Sequence, residues 1–192
     1  MSLREANRIR KYRNGDQAAF REIYDQYAPR VMGYLIRLTG DRADAEDMVQ
    51  EVFVAAYQGR AGFGERASML TWLLGIATRR WRDKNRKQTL RFSDPADTDE
   101  SLDSLPQTGS PLESRVIAAI ALDDALEQLA PEYREALLLV AGQGLTYAEA
   151  AAITGEPVGT VKWRVSVATR KLQQLLSAED QEEPHGVPTH RP

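Results

Sequence analysis

The sequence predicts an all-α protein in which two small helical domains are joined by a flexible acidic linker. Apolar residues recur at helical spacing between Asp16 and Trp81, and again from Leu122 onward. Between these parts the composition turns acidic and rich in proline, serine and threonine, which is typical of a linker. The predicted boundaries are 1–91 for the first domain, 92–115 for the linker, 116–177 for the second domain and 178–192 for a disordered tail.

The overall composition excludes several classes of protein. The 192 residues are 42% hydrophobic and 28% charged, which is ordinary for a chain that buries a core. No cysteine is present, so a disulfide framework, a zinc cluster and a thiol nucleophile are excluded. No apolar run approaches the roughly 20 residues of a membrane span, and residues 1–5 lack an apolar signal core. We therefore expect a cytoplasmic protein that does not insert into a membrane.

The first 57 residues predict an N-terminal arm and two helices. Residues 1–15 are polar and basic, and predict a short helix or arm. Asp16 is a plausible helix cap, and apolar residues keep helical spacing from there to Gly40, with Pro29 as a break or kink. Residues 41–57 predict a second amphipathic helix with an acidic outer face. Such a face is commonly only solvated, so this pattern alone assigns it no partner.

A loop and a basic helix follow. Phe63 lies between two glycines in the loop, and an aromatic at such a loop tip either binds a ligand or packs down. A helix is predicted from about Met69, and its apolar stripe ends at Trp81. Basic residues lie on both sides of the helix beyond that point, so we expect it to extend past its domain and to meet phosphates. Trp72 and Trp81 flank the basic run, where they either stack on unpaired bases or pack in the core.

The stretch from residue 145 to residue 176 predicts two helices separated by a tight turn. Thr146 and Glu149 have capping-box spacing at the start of the first helix, and Gly155 ends it. Pro157 then lies near the first turn of a second helix. That helix has one apolar face and one face of basic, polar and tryptophan side chains, as in the recognition helix of a helix-turn-helix. An ordinary helical hairpin with a solvated basic face is the alternative. The segments 122–129 and 131–140 predict two supporting helices, which makes a four-helix domain.

Three motifs in this order carry a family resemblance. They are Asp-Ala-Glu-Asp-Met-Val-Gln-Glu-Val-Phe at 44–53, Thr-Trp-Leu at 71–73, and the helix-turn-helix at 145–164 with Pro-Val-Gly-Thr-Val-Lys at 157–162. Together they resemble the bacterial sigma factors of the sigma-70 family, in the extracytoplasmic-function (ECF) group. The resemblance covers about residues 16–87 and 117–176, with the family's linker between.

The resemblance implies a promoter-specificity subunit that binds core RNA polymerase and promoter DNA, with no catalytic activity, metal or cofactor of its own. The acidic helix would dock on a coiled coil of the largest polymerase subunit, and the linker would thread through the polymerase's nucleic-acid channel. The first domain would also recognise and help to melt the −10 element, and the second would read the −35 element. An anti-sigma factor that clamps the two domains is a further expected partner.

The resemblance also implies roles for individual residues. The residues for core polymerase are Asp47, Met48, Gln50, Glu51 and Phe53. The residues for the −10 element are Phe63, Trp72, Arg79, Arg80, Arg82, Lys84 and Arg86. The residues for the −35 element are Gly159, Thr160, Lys162, Trp163, Arg164, Ser166 and Arg170.

Two departures from the family pattern predict an atypical promoter sequence. After Trp-Leu the family often has a basic residue and Ile-Ala-x-Asn, whereas this chain has Gly-Ile-Ala-Thr-Arg at 75–79, so that Arg79 replaces the usual asparagine. Trp163 stands where the recognition helix commonly has serine before its arginine, and is expected either to cover a thymine methyl or sugar or to pack against polymerase.

Three other function classes are less consistent with the sequence. An autonomous transcriptional regulator would need a receiver or ligand domain, but residues 1–90 lack the alternating strands and phospho-acceptor of a receiver. A helical adaptor that binds only protein would leave the basic helix unexplained. An enzyme is disfavoured because the sequence shows no nucleophile and base pair, metal cluster or phosphate loop.

Overall fold

The computed structural model describes residues 3–64, 67–91 and 111–179, with side chains over 4–64, 67–86 and 118–177. These residues form helices and turns, without a strand, as the helical periodicity predicted. The helices are α1 Leu3–Arg13, α2 Gln17–Thr39, α3 Arg42–Gly59, α4 Met69–Arg91, α5 Pro111–Glu127, α6 Pro131–Leu137, α7 Tyr147–Thr154 and α8 Val158–Glu179. Most of the predicted linker, residues 92–110, and tail residues 180–192 lie outside the described residues. Helix α5 begins at Pro111, inside the predicted linker range.

Helices α1 to α4 form an N-terminal group whose apolar core is continuous with that of the C-terminal helices. Helix α2 begins at the predicted cap, where the Asp16 carboxylate accepts from the Ala19 amide at 2.9 Å. It continues through Pro29 without ending, although an internal proline removes a backbone hydrogen bond. Buried side chains on both sides of Pro29, among them Tyr27 and Val31, hold the helix against α3 and α4. Burial of this face offsets the local cost of the proline.

Helices α5 to α8 form the C-terminal group, and they include the predicted helix-turn-helix. The capping box is present, since the Thr146 hydroxyl accepts from the Glu149 amide while the Glu149 carboxylate accepts from the Thr146 amide. Gly155 ends α7 with φ of 73°, a left-handed conformation that favours glycine. Val161, Val165 and Ala168 of α8 are buried against the rest of the group. The helix-turn-helix prediction is therefore confirmed in its caps, turn and packing face.

The two groups contact each other along α4 and α2. Helix α4 packs against α7, and the end of α2 lies near α5 and α6. None of the helices over the described ranges is long and apolar enough to cross a membrane.

Candidate functional site

The outward face of α3 is acidic and lies at the surface of the N-terminal group. Asp47, Gln50 and Glu51 are exposed, as expected for residues that meet a partner. Met48 and Phe53, predicted with them, are each only 3% exposed and pack in the core. Both lie on the inner face of α3 and hold the helix in place, so in this structure they do not present the surface expected of them.

Two exposed apolar side chains, one on α3 and one that packs against it from α2, were not predicted from the sequence. Val54 is 56% exposed and lies three residues after Glu51 on the same side of α3. Tyr24 of α2 is 40% exposed, and its ring contacts the Phe53 ring at a centroid distance of 4.7 Å. The exposure of Val54 could have been predicted, because it is an apolar residue at helical spacing from Gln50 and Glu51 on an otherwise polar face of α3.

The basic residues of α4 lie beside the acidic residues of α3. Lys84 pairs with Asp44, with 2.8 Å between Nζ and Oδ1, and Arg80 lies 3.7 Å from Glu51. Both pairs join neighbouring helices of one group. Because they are about half exposed to water, other ions can compete for the charged groups. Arg79 and Arg86 are exposed as well, and Arg86 pairs within the helix with Asp83.

Arg82 differs from the other basic residues of α4 because it contacts the C-terminal group. Its guanidinium donates to the Glu135 carboxylate of α6 and to the backbone carbonyl of Thr154 at the end of α7. The expectation that α4 extends free of packing beyond Trp81 is therefore wrong at this position. Arg82 contacts residues that lie 53 and 72 positions further along the sequence. Helical periodicity gives no information about contacts at such separations.

Phe63 is buried rather than exposed. It is 2% exposed, and its ring lies 4.8 Å from that of Trp72, which is partly buried. Trp72 in turn contacts the Tyr12 ring edge-on at 6.5 Å. Of the two alternatives for the aromatic at the loop tip, the structure shows the second: Phe63 packs down into an aromatic cluster under α4 and is not exposed to a base. Of the two aromatic residues Phe63 and Trp72, both expected at the −10 element, Trp72 is the one with access to solvent.

The outer face of α8 presents most of the predicted recognition residues. Gly159, Lys162, Ser166 and Arg170 are exposed and Thr160 is half-buried. Trp163 is 55% exposed, with its ring 5.7 Å from that of Tyr133 on α6. Arg164 is turned inward, where its side chain is mostly buried and lies 3.4 Å from Glu156.

Two carboxylates in the C-terminal group have shifted pKa values. Burial raises the pKa of Glu135, while hydrogen bonds and charge from Arg82, and the charge of Arg164, oppose that rise. Hydrogen bonds from the backbone and side chain of Thr146 lower the pKa of Glu149. Among the residues of the described ranges, no group of acidic or histidine side chains is arranged to hold a metal ion.

Comparison with known families assigns both helical groups. Residues 23–91 match the model of sigma-70 region 2, and residues 119–172 match that of sigma-70 region 4. These ranges contain α3 and α4 in the first group and the helix-turn-helix in the second.

Full-length relatives extend the match over both groups. The chain is 32% identical to the RNA polymerase sigma factor CarQ of Myxococcus xanthus, over 88% of this chain and 95% of CarQ. It is 37% identical to the ECF RNA polymerase sigma factor RpoE of Cereibacter sphaeroides, over 88% of this chain and 91% of RpoE.

Two solved structures share the fold. One is the sigma factor RpoE in complex with the anti-sigma factor NepR from Bartonella quintana, with a TM-score of 0.67 and 29% identity over 83% of this chain and 98% of the other. The other is CnrH in complex with the cytosolic domain of CnrY, with a TM-score of 0.66 and 25% identity over 90% and 96%. With both regions present in order and relatives matched over nearly their whole length, the chain belongs to the ECF sigma factors of the sigma-70 family.

Proposed function

We propose that the chain binds core RNA polymerase through α3 and promoter DNA through α4 and α8, and so directs promoter-specific transcription initiation without catalysis of its own. The observation that carries this proposal is the placement of an acidic helix beside a basic helix in a chain that also contains a capped helix-turn-helix. The site of action is the cytoplasm, where RNA polymerase and the promoter are found. In this proposal region 2 spans residues 1–91 and region 4 spans 116–177.

The polymerase-binding surface consists of Asp47, Gln50, Glu51 and Val54 on α3, with Tyr24 of α2 beside them. The spacing of the α3 residues places them on one side of the helix. Three exposed polar side chains and two exposed apolar ones give this surface both the polar and the apolar groups that protein interfaces combine.

The −10 element is bound by the exposed basic residues of α4 and by Trp72. Arg79, Arg80, Lys84 and Arg86 neutralise phosphates, and their pairs with α3 and within α4 exchange for contacts to DNA. Flipping a base out of the duplex costs a few kcal/mol, which stacking on an aromatic ring offsets. Trp72 supplies the ring, and Phe63 supports it from the core side.

The −35 element is read by the outer face of α8. Lys162 and Arg170 contact phosphates or base edges, and Ser166 contributes a hydroxyl. Trp163 covers an apolar base edge such as a thymine methyl, backed by Tyr133. Arg164 is held inward by its pair with Glu156, so it is not part of the proposed −35 surface.

An anti-sigma factor controls the protein in this proposal. Both structural neighbours are complexes with a second protein, and one of those proteins is described as an anti-sigma factor. Purification of the native protein tests this idea. A stoichiometric inhibitor should accompany it, whereas recovery only as free or polymerase-bound protein would argue against such control.

In vitro transcription with purified core polymerase tests the proposed activity. On fragments of the native genome, transcripts should start at defined positions only when core and this protein are both present, and the protein alone should barely shift DNA in gels. Specific shifts by the protein alone, with no effect of core, would overturn the proposal.

The Glu51→Lys variant tests the assigned surface. Reversal of an exposed charge at the polymerase contact should weaken core binding by roughly ten-fold or more. Asp124→Lys makes the same change in net charge on the exposed side of α5, away from the proposed interface, and serves as the matched control. Equal loss in both variants, measured by titration of labelled protein with core, would show that the effect is not local to α3.

A further inference from the structure

Arg82 connects the proposed −10 helix to the helix-turn-helix domain. Its Nη2 and Nε lie 2.6 and 3.2 Å from Oε2 of Glu135, and its Nη1 lies 2.6 Å from the Thr154 carbonyl oxygen. Glu135 is 1% exposed, so the carboxylate is removed from water while it accepts these bonds. Charge-assisted bonds of this kind are among the stronger polar contacts in proteins.

Other contacts accompany this one along the same surface. Thr71 of α4 donates to Oε1 of Glu149 on α7 at 3.2 Å. Helices α4 and α7 approach closely at Gly75, where a Cβ atom would lie 3.8 Å from the Ile153 side chain. One side of α4 is therefore covered by the first helix of the helix-turn-helix.

We propose that the protein holds itself in a closed, inactive form through the Arg82 and Glu135 contact, and that Arg164 takes over Glu135 when the two domains separate. This proposal rests on the proposed function, because it treats α4 as a DNA-binding helix. In the closed form Arg82 already serves three hydrogen bonds within the protein and is not available to a phosphate. The side of α4 that faces α7 is closed to DNA as well.

The exchange of partners makes the closed form reversible. A buried carboxylate without a partner is strongly destabilising, so loss of Arg82 alone would leave Glu135 in an unfavourable state. Arg164 is close enough for its charge to act on Glu135, and Oε1 of Glu135 is buried without a hydrogen bond from the described residues. Arg164 pairs with Glu156 at 3.4 Å, so release from Glu156 frees a cation inside the domain of Glu135 to become its new partner.

Distance measurement between two labels tests the closed form without DNA or polymerase. The chain has no cysteine, so Arg21→Cys on α2 and Gln174→Cys on α8 give one labelled site in each domain. In the parent protein we expect one short distance. Arg82→Gln and Glu135→Gln should each shift the ratio of closed to open molecules by at least about ten-fold toward long distances.

Lys84→Gln is the matched control for this experiment. It removes a cation from the same helix, but its partner Asp44 belongs to the same domain, so the distance should not change. A broad distribution of long distances in the parent protein would overturn the proposal. Distances like those of the parent in both Arg82→Gln and Glu135→Gln would overturn it as well. Arg82 is a partly exposed residue of α4, so its variant should fold even if the buried Glu135→Gln change impairs folding. Because no DNA or polymerase is present, the closed form can fail this test while the proposed function stands.

Thermal unfolding of Arg164→Gln tests the exchange of partners. In the parent background the loss of Arg164 should lower Tm only slightly, because Glu135 keeps Arg82. In the Arg82→Gln background the same change should lower Tm further, because Glu135 then has neither partner. Equal losses in the two backgrounds would overturn the exchange.

Discussion

At the scale of single residues, Tyr12 ties the N-terminal helix to the region 2 core. Its hydroxyl donates to the backbone carbonyl of Ala56 at 2.7 Å, and its ring stacks on Phe20. Tyr12→Phe keeps the ring but leaves that buried carbonyl without its donor. We expect a loss of about 1 kcal/mol in the free energy of unfolding, measured by urea denaturation. The exposed Tyr24, changed to Phe as a control, should lose much less.

Because of the same hydroxyl, the free energy of unfolding should depend on pH in the alkaline range. Burial raises the pKa of Tyr12 from 10.0 to about 12. The raised pKa means that its contribution is fully present below pH 10 and is lost as pH rises toward about 12, because the unfolded chain releases the proton first. Between pH 10 and 12 the parent protein should therefore lose more stability than Tyr12→Phe. Parallel curves for the two proteins would contradict this explanation.

Single residues also show where the sequence was informative. The exposure of Asp47, Gln50 and Glu51 followed from their position on the polar side of α3. The burial of Phe63 did not follow, because two flanking glycines predict a loop but say nothing about what the loop covers. Its contact with Trp72 depends on how the loop folds back on α4, which is a tertiary property.

At the scale of helices, α7 depends on its capping box. Thr146→Ala removes the hydroxyl that accepts from the Glu149 amide, and should lower the free energy of unfolding by about 1 kcal/mol. Thr169→Ala is the control, because Thr169 lies inside α8 and its hydroxyl donates to the Val165 carbonyl four residues before it. Alanine there should be neutral or slightly stabilising. Urea denaturation with hydrogen exchange of the α7 amides distinguishes the two variants.

Helix boundaries were predictable where local chemistry sets them. Asp16, Thr146 and Gly155 act on amides and carbonyls within four residues, so their roles can be read from sequence alone. Pro29 predicted a break or kink that packing overrides, since α2 continues through it. The π-helical turn Leu138–Gly142 after α6 has no local signal of that kind, and it was not predicted.

At the scale of the whole molecule, the contacts between the domains differ greatly in burial. Arg37 of α2 pairs with Asp123 of α5 at 2.9 Å, but both side chains are nearly half exposed. Exposed pairs contribute only about 0.2–1 kcal/mol. Arg37→Gln should therefore change the ratio of closed to open molecules by less than about five-fold, well below the effect of Arg82→Gln. A comparable effect, measured with the same label pair, would place the main contact at the surface instead.

The relative placement of the two domains could not be predicted from the sequence. The periodicity of each segment defines its own buried face, and the apolar stripe of α4 ends at Trp81. Arg82 directly follows that stripe, and its sequence context does not distinguish it from the exposed basic residues around it. Only the three-dimensional structure shows its contacts with Glu135 and Thr154.

The contact of Arg82 with the helix-turn-helix domain also bears on how promoters are distinguished. A ligand that separates the domains by binding one of them must overcome the free energy of closure, and a second ligand on the other domain then binds an already open protein. By thermodynamic reciprocity, binding of the −10 element raises the affinity of the protein for the −35 element, and binding of the −35 element raises its affinity for the −10 element by the same factor. The closed protein thus acts as a coincidence detector, which discriminates against isolated half-sites in favour of DNA that carries both elements at the right separation.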